Sequence, residues 1–134
     1  EEDPMSVTEQ RFSVSHLDEA DFKTGGLRPY SAYRDLGVAA ATQGLATAQV
    51  IRMTAPYAEA FGGRHHHEVQ FQMVYVLKGW AIFEYEGHGQ HKLEVGTCVH
   101  QPPGIRHREI AHSEDLEILE IVLPGNFETI AMPD

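Results

Sequence analysis

The sequence predicts one all-β domain. From residue 30 onward, short apolar runs follow one another with glycines and prolines between them. Alternate residues of the segment 69–77 are apolar, which is the period-two signature of a β-strand. Beyond the N-terminal region no stretch has the 3.6-residue periodicity of an amphipathic helix. A β-sandwich or barrel is therefore favoured over a mixed fold.

The predicted strands are bounded by turn residues at short, regular intervals. They are 31–36, 47–54, 69–77, 80–85, 92–95, 97–101, 107–110 and 116–122. The strand 69–77 carries Val74 and Val76 on the face opposite its alternating set, so we expect it to be buried on both sides.

The chain is divided into a short extension and one barrel domain. Residues 1–26 are polar and irregular, with one helical turn expected at 16–22 and Ser15 as its N-cap. Residues 27–134 form the barrel domain, and their number suits a single core. Residues 1–4 precede Met5, which we interpret as the native start.

Charge and composition exclude several classes of function. The net charge is -10, which argues against non-specific binding to nucleic acid or to an anionic membrane. No run of eighteen apolar residues predicts a transmembrane helix, and no signal peptide is expected. The single cysteine, Cys98, excludes an internal disulfide and is expected to be a small buried residue. A cytoplasmic location is the resulting expectation.

Histidine is the unusual residue of this chain. There are nine, and eight of them lie between His65 and His112. On a strand, His65 and His67 leave the same face and form half of a metal site. His107 follows a rigid turn at 102–104 and is the natural third ligand. On spacing alone, a solvated run of histidines that chelates metal by accident is an equal alternative.

A longer pattern surrounds these histidines in two separate segments. The first reads His65-x-His67, four residues, Gln72, six residues and Gly79; the second reads Gly96, five residues, Pro102-x-Gly104, two residues and His107. This arrangement resembles the two signature motifs of the cupin superfamily over residues 62–111. It departs from them at Glu59, where a glycine is usual, and at Ala111, where an asparagine is frequent.

The resemblance implies a jelly-roll barrel (a double-stranded β-helix) that holds a divalent transition metal inside one end. Iron, nickel, zinc and manganese all remain open. By position, the implied ligands are His65, His67, Gln72 and His107. The step from His67 to Gln72 is odd, so an unbroken strand would place them on opposite faces. A bend between Glu68 and Phe71 is therefore implied.

Gln72 stands where the family usually has a glutamate. A glutamine and three imidazoles are neutral, so a divalent metal would keep its full charge and favour anionic ligands. Cupins that cyclise unsaturated uronates resemble this set, and three-histidine cupin dioxygenases also lack a coordinating acid. The alternative is that Gln72 only hydrogen-bonds beside a three-histidine site.

Other polar residues are weaker candidates for a functional role. Glu109, two residues beyond His107, is the candidate general base, with a solvated rim acid as the alternative. Arg52 could clamp a carboxylate or form an outward ion pair. The remaining histidines of the cluster are expected at the surface: His88, His91, His100 and His112.

These expectations define one leading function and its rivals. The leading one is a small metalloenzyme of dioxygenase, isomerase, cyclase or lyase type, acting on a small oxygen-bearing molecule such as a carboxylate or sugar acid. The alternatives are a non-catalytic cupin that binds or senses a small molecule or metal, and a barrel that serves assembly. A homodimer is expected, because open sheet edges and many apolar strands favour pairing.

Overall fold

A computed structural model describes residues 9–24, 30–55, 65–125 and 128–131, the side chains of 65–68 and 128–131 excepted. The residues form ten strands and two very short helices. The strands are β1 (Ser31–Asp35), β2 (Thr47–Met53), β3 (His65–Glu68), β4 (Phe71–Lys78), β5 (Trp80–Tyr85), β6 (Gly89–Glu94), β7 (Cys98–His100), β8 (His107–His112), β9 (Glu117–Leu123) and β10 (Glu128–Ala131).

The strands are arranged in two five-stranded antiparallel sheets. One sheet has the order β1-β2-β9-β4-β7 and the other has the order β10-β3-β8-β5-β6. From β3 to β10 the chain crosses between the sheets at almost every connection, and only β5 and β6 are joined as a hairpin within one sheet. This is the jelly-roll arrangement, and it confirms the all-β prediction.

Strand β4 shows which face of the sheet meets the core. Gln72, Val74 and Val76 are buried, whereas Tyr75 and Leu77 on the other face are 38% and 44% exposed. The expectation that this strand is buried on both sides is therefore wrong for the single chain. Only one face of β4 packs against the second sheet, since within the described residues no further layer covers the other.

The break implied between the two halves of the first motif is present. Strand β3 ends at Glu68 and β4 begins at Phe71, and the two strands belong to different sheets. The bend at residues 69 and 70 therefore carries the chain from one wall of the barrel to the other. His67 and Gln72 are an odd number of residues apart, but they lie on different walls of the barrel. The odd spacing therefore does not prevent both residues from serving one site.

An apolar cluster fills one end of the interior. The apolar cluster is centred on Val76, Ala81 and Leu116, near the turn that joins β4 to β5. Gln72 and Tyr85 lie at the far ends of the same two strands and are also buried. These two polar residues therefore lie at the end of the interior away from the apolar cluster.

Gly79 makes the tight connection between β4 and β5. Its φ is +75°, in the left-handed region that favours glycine. A Cβ here would lie 2.3 Å from Ser113 Oγ and 2.9 Å from the Cα of Leu116. Both the dihedral and the lack of space therefore require glycine at this position of the motif.

The N-terminal segment packs beside the first sheet. A 3₁₀ turn, η1 (Glu19–Asp21), lies within the predicted 16–22 region, but its N-cap is Asp18 rather than Ser15. Ser15 instead accepts hydrogen bonds from Arg34, one of them on its side-chain hydroxyl at 3.0 Å. Met5 and residues 25–29 lie outside the described residues, so the native start and the boundary at 26 stay predictions.

A second short helix, α1 (Val38–Ala41), joins β1 to β2. The sequence analysis missed it because four residues are too few to show a helical period. Among the residues described, no helix has the length and apolar character that spanning a bilayer requires.

Candidate functional site

His107 begins β8 and is buried inside the barrel. Its Nδ1 lies 3.1 Å from the carbonyl oxygen of Ile105. A carbonyl oxygen can only accept, so Nδ1 carries the proton and Nε2 carries the lone pair. Such a bond behind an imidazole is typical of metal-binding histidines, because it fixes both tautomer and ring orientation.

The turn before His107 returns the chain to the first motif. Ile105 donates its backbone N–H to Pro102, and Gly104 has a φ of +77°. Strand β8 then pairs with β3 so that His107 lies opposite His65 along the backbone. His67 lies opposite Thr129 of β10. The start of the first motif and the end of the second are therefore neighbours in one sheet.

Gln72 is held in one orientation by a buried acid. Its Nε2 donates to Oε2 of Glu120 at 3.0 Å, and Gln49 Nε2 donates to Oε1 of the same carboxylate at 2.8 Å. A carboxylate that receives both amides fixes the NH₂ group of Gln72 toward Glu120. The amide oxygen of Gln72 therefore occupies the other end of the side chain, as a metal ligand would require.

Glu120 and Gln49 were missed by the sequence analysis. Glu120 lies on the same face of β9 as Ile118 and Val122, whose register partners on β4 are Val76 and Gln72. A charged residue at an inward position of an otherwise apolar strand was the signal that could have revealed it. The alternation of apolar residues predicts β9 correctly. Glu120 interrupts it with a charged side chain at an inward position.

Glu109 is fully enclosed and bonded to a second histidine. Its Oε1 lies 2.5 Å from Nδ1 of His112, and the two side chains are 1% and 0% exposed. The other ring nitrogen of His112, Nε2, lies 3.0 Å from the carbonyl oxygen of Ala55. Since that carbonyl can only accept, Nε2 carries a proton, and the pair shares a further proton between Nδ1 and Oε1.

The prediction that His112 lies at the surface is wrong. Phe83 lies opposite Glu109 and Ile82 lies opposite Ala111, so Ile110 is the extra residue of a β-bulge. A bulge reverses the alternation of side chains, and His112 therefore joins Glu109 on the inward face. It stacks on Tyr30 with ring centroids 6.0 Å apart.

Tyr85 lines the interior next to His107. The two residues are register partners, and their ring centroids are 5.9 Å apart. Burial raises the pKa of the Tyr85 phenol well above its ordinary value of 10.0, so the phenol stays protonated near neutral pH. The ring centroid of Phe83 lies 6.4 Å from that of the His107 imidazole.

Several predicted residues lie away from this interior. Cys98 is exposed, and the expectation that it is buried is wrong, because Val99 opposite Val74 takes the inward position of β7. Arg52 pairs with Glu19 at 2.6 Å and with Glu117 at 3.2 Å, which is the outward ion pair and not the clamp. The other three surface histidines are exposed as expected: His88, His91 and His100.

His107 and Gln72, the two proposed ligands whose side chains the structure describes, suit a metal ion. His107 offers a nitrogen and Gln72 an oxygen, each oriented by a hydrogen bond from behind. The side chains of His65 and His67 lie outside the described part, so the full set of four stays a prediction. Among the side chains that are described, no group of three or more His, Cys, Asp or Glu is placed to hold a metal ion.

Comparison with known proteins gives the family. The sequence profile of the cupin domain matches residues 51–122, more than half of the chain. The chain belongs to the cupin family, as its two motifs predicted. No curated protein matches its sequence.

Solved structures share the fold at low sequence identity. KdgF from Halomonas sp. is 22% identical with a TM-score of 0.66, and the match covers 84% of this chain and 94% of KdgF. A cupin-superfamily sugar phosphate isomerase from Silicibacter pomeroyi is 20% identical with a TM-score of 0.62, covering 81% and 74%. The polyketide cyclase RemF from Streptomyces resistomycificus is 13% identical with a TM-score of 0.68, covering 91% and 87%. Structural neighbours of this chain thus include cupin enzymes.

Proposed function

We propose that this cupin is a metal-dependent enzyme of the isomerase or cyclase class, acting on a small oxygen-bearing acid. His65, His67, Gln72 and His107 would hold a divalent metal. The observation that carries the proposal is the orientation of Gln72 by buried Glu120, which directs an amide oxygen away from the carboxylate. A glutamine serving only the core would not need a charged partner inside the barrel.

When bound, the metal would polarise a carbonyl or carboxylate oxygen of the substrate. Residues of the chain supply the rest. Glu120 keeps Gln72 in place through Oε2, and Ile105 keeps His107 in place through its carbonyl. Glu109 and His112 hold one proton between Oε1 and Nδ1, and the proposed role of Glu109 is to exchange that proton with a substrate oxygen or carbon.

A non-redox reaction suits this environment better than oxygenation. Isomerisation and cyclisation move protons between carbon and oxygen, and they use buried acid and base groups for that purpose. Two acids, Glu109 and Glu120, are buried in the interior. Dioxygenation needs a redox-active metal such as iron, whereas isomerisation does not, so activity with zinc would favour the non-redox branch.

Solvent exchange tests the proposal whichever product is formed. The protein would be loaded in turn with manganese, nickel, zinc and iron, and incubated in D₂O with uronates, sugar phosphates and small hydroxy acids. Proton NMR should show deuterium entering one substrate at the carbon next to a carbonyl. Glu109→Gln should slow this exchange about 100-fold or more, the usual scale of one general acid–base group. Glu84→Gln, half-buried and paired with Arg108, is the matched control.

A binding or sensing module is the second candidate. It is favoured by the hydrogen bond between the carboxylate of Glu109 and His112. A carboxylate held in this way can serve a structural role in the wall of the barrel as well as a role as a base. Saturable binding of an acid to the metal-loaded protein, with no deuterium entering any substrate, would support this reading over the enzyme.

We also propose that the protein is a homodimer in a reducing compartment such as the cytoplasm. The outer face of β4 repeats apolar residues at every second position, and Tyr75 and Leu77 there are well exposed. The sequence of β4 is apolar on both faces, but only one face is covered in the single chain. Pairing with the same sheet of a second copy would cover the other face. The exposed thiol of Cys98 fits a location where thiols stay reduced.

A further inference from the structure

Two buried hydrogen-bond donors inside the barrel have no partner among the described residues. They are the phenol oxygen of Tyr85 and Nε2 of Gln101, and each residue is only 5% exposed. Neither atom has a hydrogen-bond partner in the part of the chain that the structure describes. Such atoms are rare in native proteins because a buried polar group without a partner is costly. A third unpartnered atom, Nε of Arg34, belongs to the outer face beneath Ser15.

The two inner donors lie beside two of the proposed metal ligands, one on each wall of the barrel. Tyr85 ends β5 directly opposite His107. Gln101 follows β7, and its backbone N–H donates to the carbonyl oxygen of Gln72 at 2.9 Å. The unpaired donors thus lie next to the metal ligands whose side chains are described.

We propose that Tyr85 and Gln101 bind the substrate, by donating hydrogen bonds to oxygens of a small hydroxy or keto acid held at the metal. This proposal rests on the proposed function. An O–H and an N–H both need an acceptor, so the ligand must present carboxylate, carbonyl or hydroxyl oxygens on two sides. An ammonium group has only donors, so it could pair with the phenol oxygen of Tyr85 but would leave the N–H group of Gln101 without an acceptor.

The substitutions Tyr85→Phe and Gln101→Met remove the donors while keeping nearly the same shape. Tartronate, a small hydroxy dicarboxylic acid, is titrated by calorimetry into the manganese-loaded proteins. Each substitution should weaken tartronate binding about 5- to 10-fold, which is the scale of one hydrogen bond, with metal content unchanged. Gln90→Met, which removes an exposed amide from β6, is the matched control and should change neither.

Thermal unfolding of the metal-free proteins provides the second readout. Because an unpartnered buried atom is removed, both variants should unfold at the wild-type temperature or higher. A lower unfolding temperature would show that these atoms support the fold, and would overturn the proposal. Wild-type tartronate affinity in both fully metal-loaded variants would overturn it as well.

The same titrations separate this proposal from the proposed function. If wild type binds metal and tartronate but the variants bind equally well, only the recognition role fails. If wild type binds no metal, the proposed function fails, and tartronate is titrated into the metal-free protein. Binding by wild type that is lost in the double variant would then retain the recognition role, and no binding by wild type would end it.

Discussion

Gln72 donates its amide N–H to the carboxylate of Glu120 at 3.0 Å, and both side chains are buried. A buried carboxylate therefore lies directly behind the position where the family usually has a glutamate. The proposed set of three histidines and Gln72 is neutral, as the sequence indicated, but it adjoins the carboxylate of Glu120. Glu120 orients the side chain of Gln72, and in the proposed metal site its charge would offset part of the charge of the metal.

Exchanging the two side chains tests this relationship. Gln72→Glu alone would place two carboxylates about 3 Å apart, a repulsion of up to roughly 5 kcal/mol at an effective dielectric of 20. Proton uptake would relieve part of it, and we expect the metal-free variant to lose about 1–3 kcal/mol of unfolding free energy at neutral pH. Adding Glu120→Gln should restore the stability. Urea unfolding gives both values, and a single variant as stable as wild type would contradict the contact.

The same double variant should alter anion binding when it is loaded with metal. It keeps the total charge of the site but moves the carboxylate to position 72, next to the metal. The affinity for a small carboxylate such as tartronate should fall about tenfold, equivalent to about 1.4 kcal/mol. Glu117→Gln, on the same strand but paired outward with Arg52, is the control and should leave anion affinity unchanged. Equal affinity in wild type and double variant would place Gln72 away from the metal.

His107 should contribute more to metal affinity than Gln72. Imidazole is the stronger donor for late first-row metals, and the ring is already held by Ile105. In competition with a chromophoric chelator, His107→Ala should lose at least about tenfold more affinity than Gln72→Ala. Losses of equal size, or a larger loss for Gln72→Ala, would count against the assignment.

Much of the architecture could be predicted from the sequence, because strand positions depend on periodicity and turn residues that are local. The break between Glu68 and Phe71 followed from the family's motif and from the parity of the step to Gln72. One error arose from parity and one omission from distance along the chain. The bulge at Ile110 turned His112 inward, and no residue type in the segment announces a bulge. Glu120 was overlooked because its partner Gln49 is 71 positions away in the chain.

Gly79 should be intolerant of any side chain. An alanine would meet Ser113 and the backbone of Leu116 and would hold a φ of +75°. Strain and overpacking together should cost about 3 kcal/mol of unfolding free energy. Gly87→Ala also has a positive φ but meets no atom within 4 Å, and should cost only about 1 kcal/mol. Chemical denaturation compares the two, and equal losses would remove the packing argument.

The outer face of β4 should mediate pairing of two copies. Light scattering is expected to give twice the 15.0 kDa mass of one chain at micromolar concentration. Leu77→Glu should produce the monomer, because a charge in an apolar interface is not compensated. Gln90→Glu, exposed on β6 of the other sheet, should stay dimeric. A wild-type mass near that of one chain would refute the dimer.

The metal content of the protein is the most direct test of the proposed metal centre. Protein purified without nickel resin, dialysed against each divalent metal and then against buffer, would be analysed by mass spectrometry of its metals. We predict one bound metal per chain in wild type and none in His107→Ala, which removes an inward, oriented imidazole. A wild-type protein that retains no metal from any of these solutions, or a His107→Ala protein that retains as much as wild type, would contradict the proposed centre.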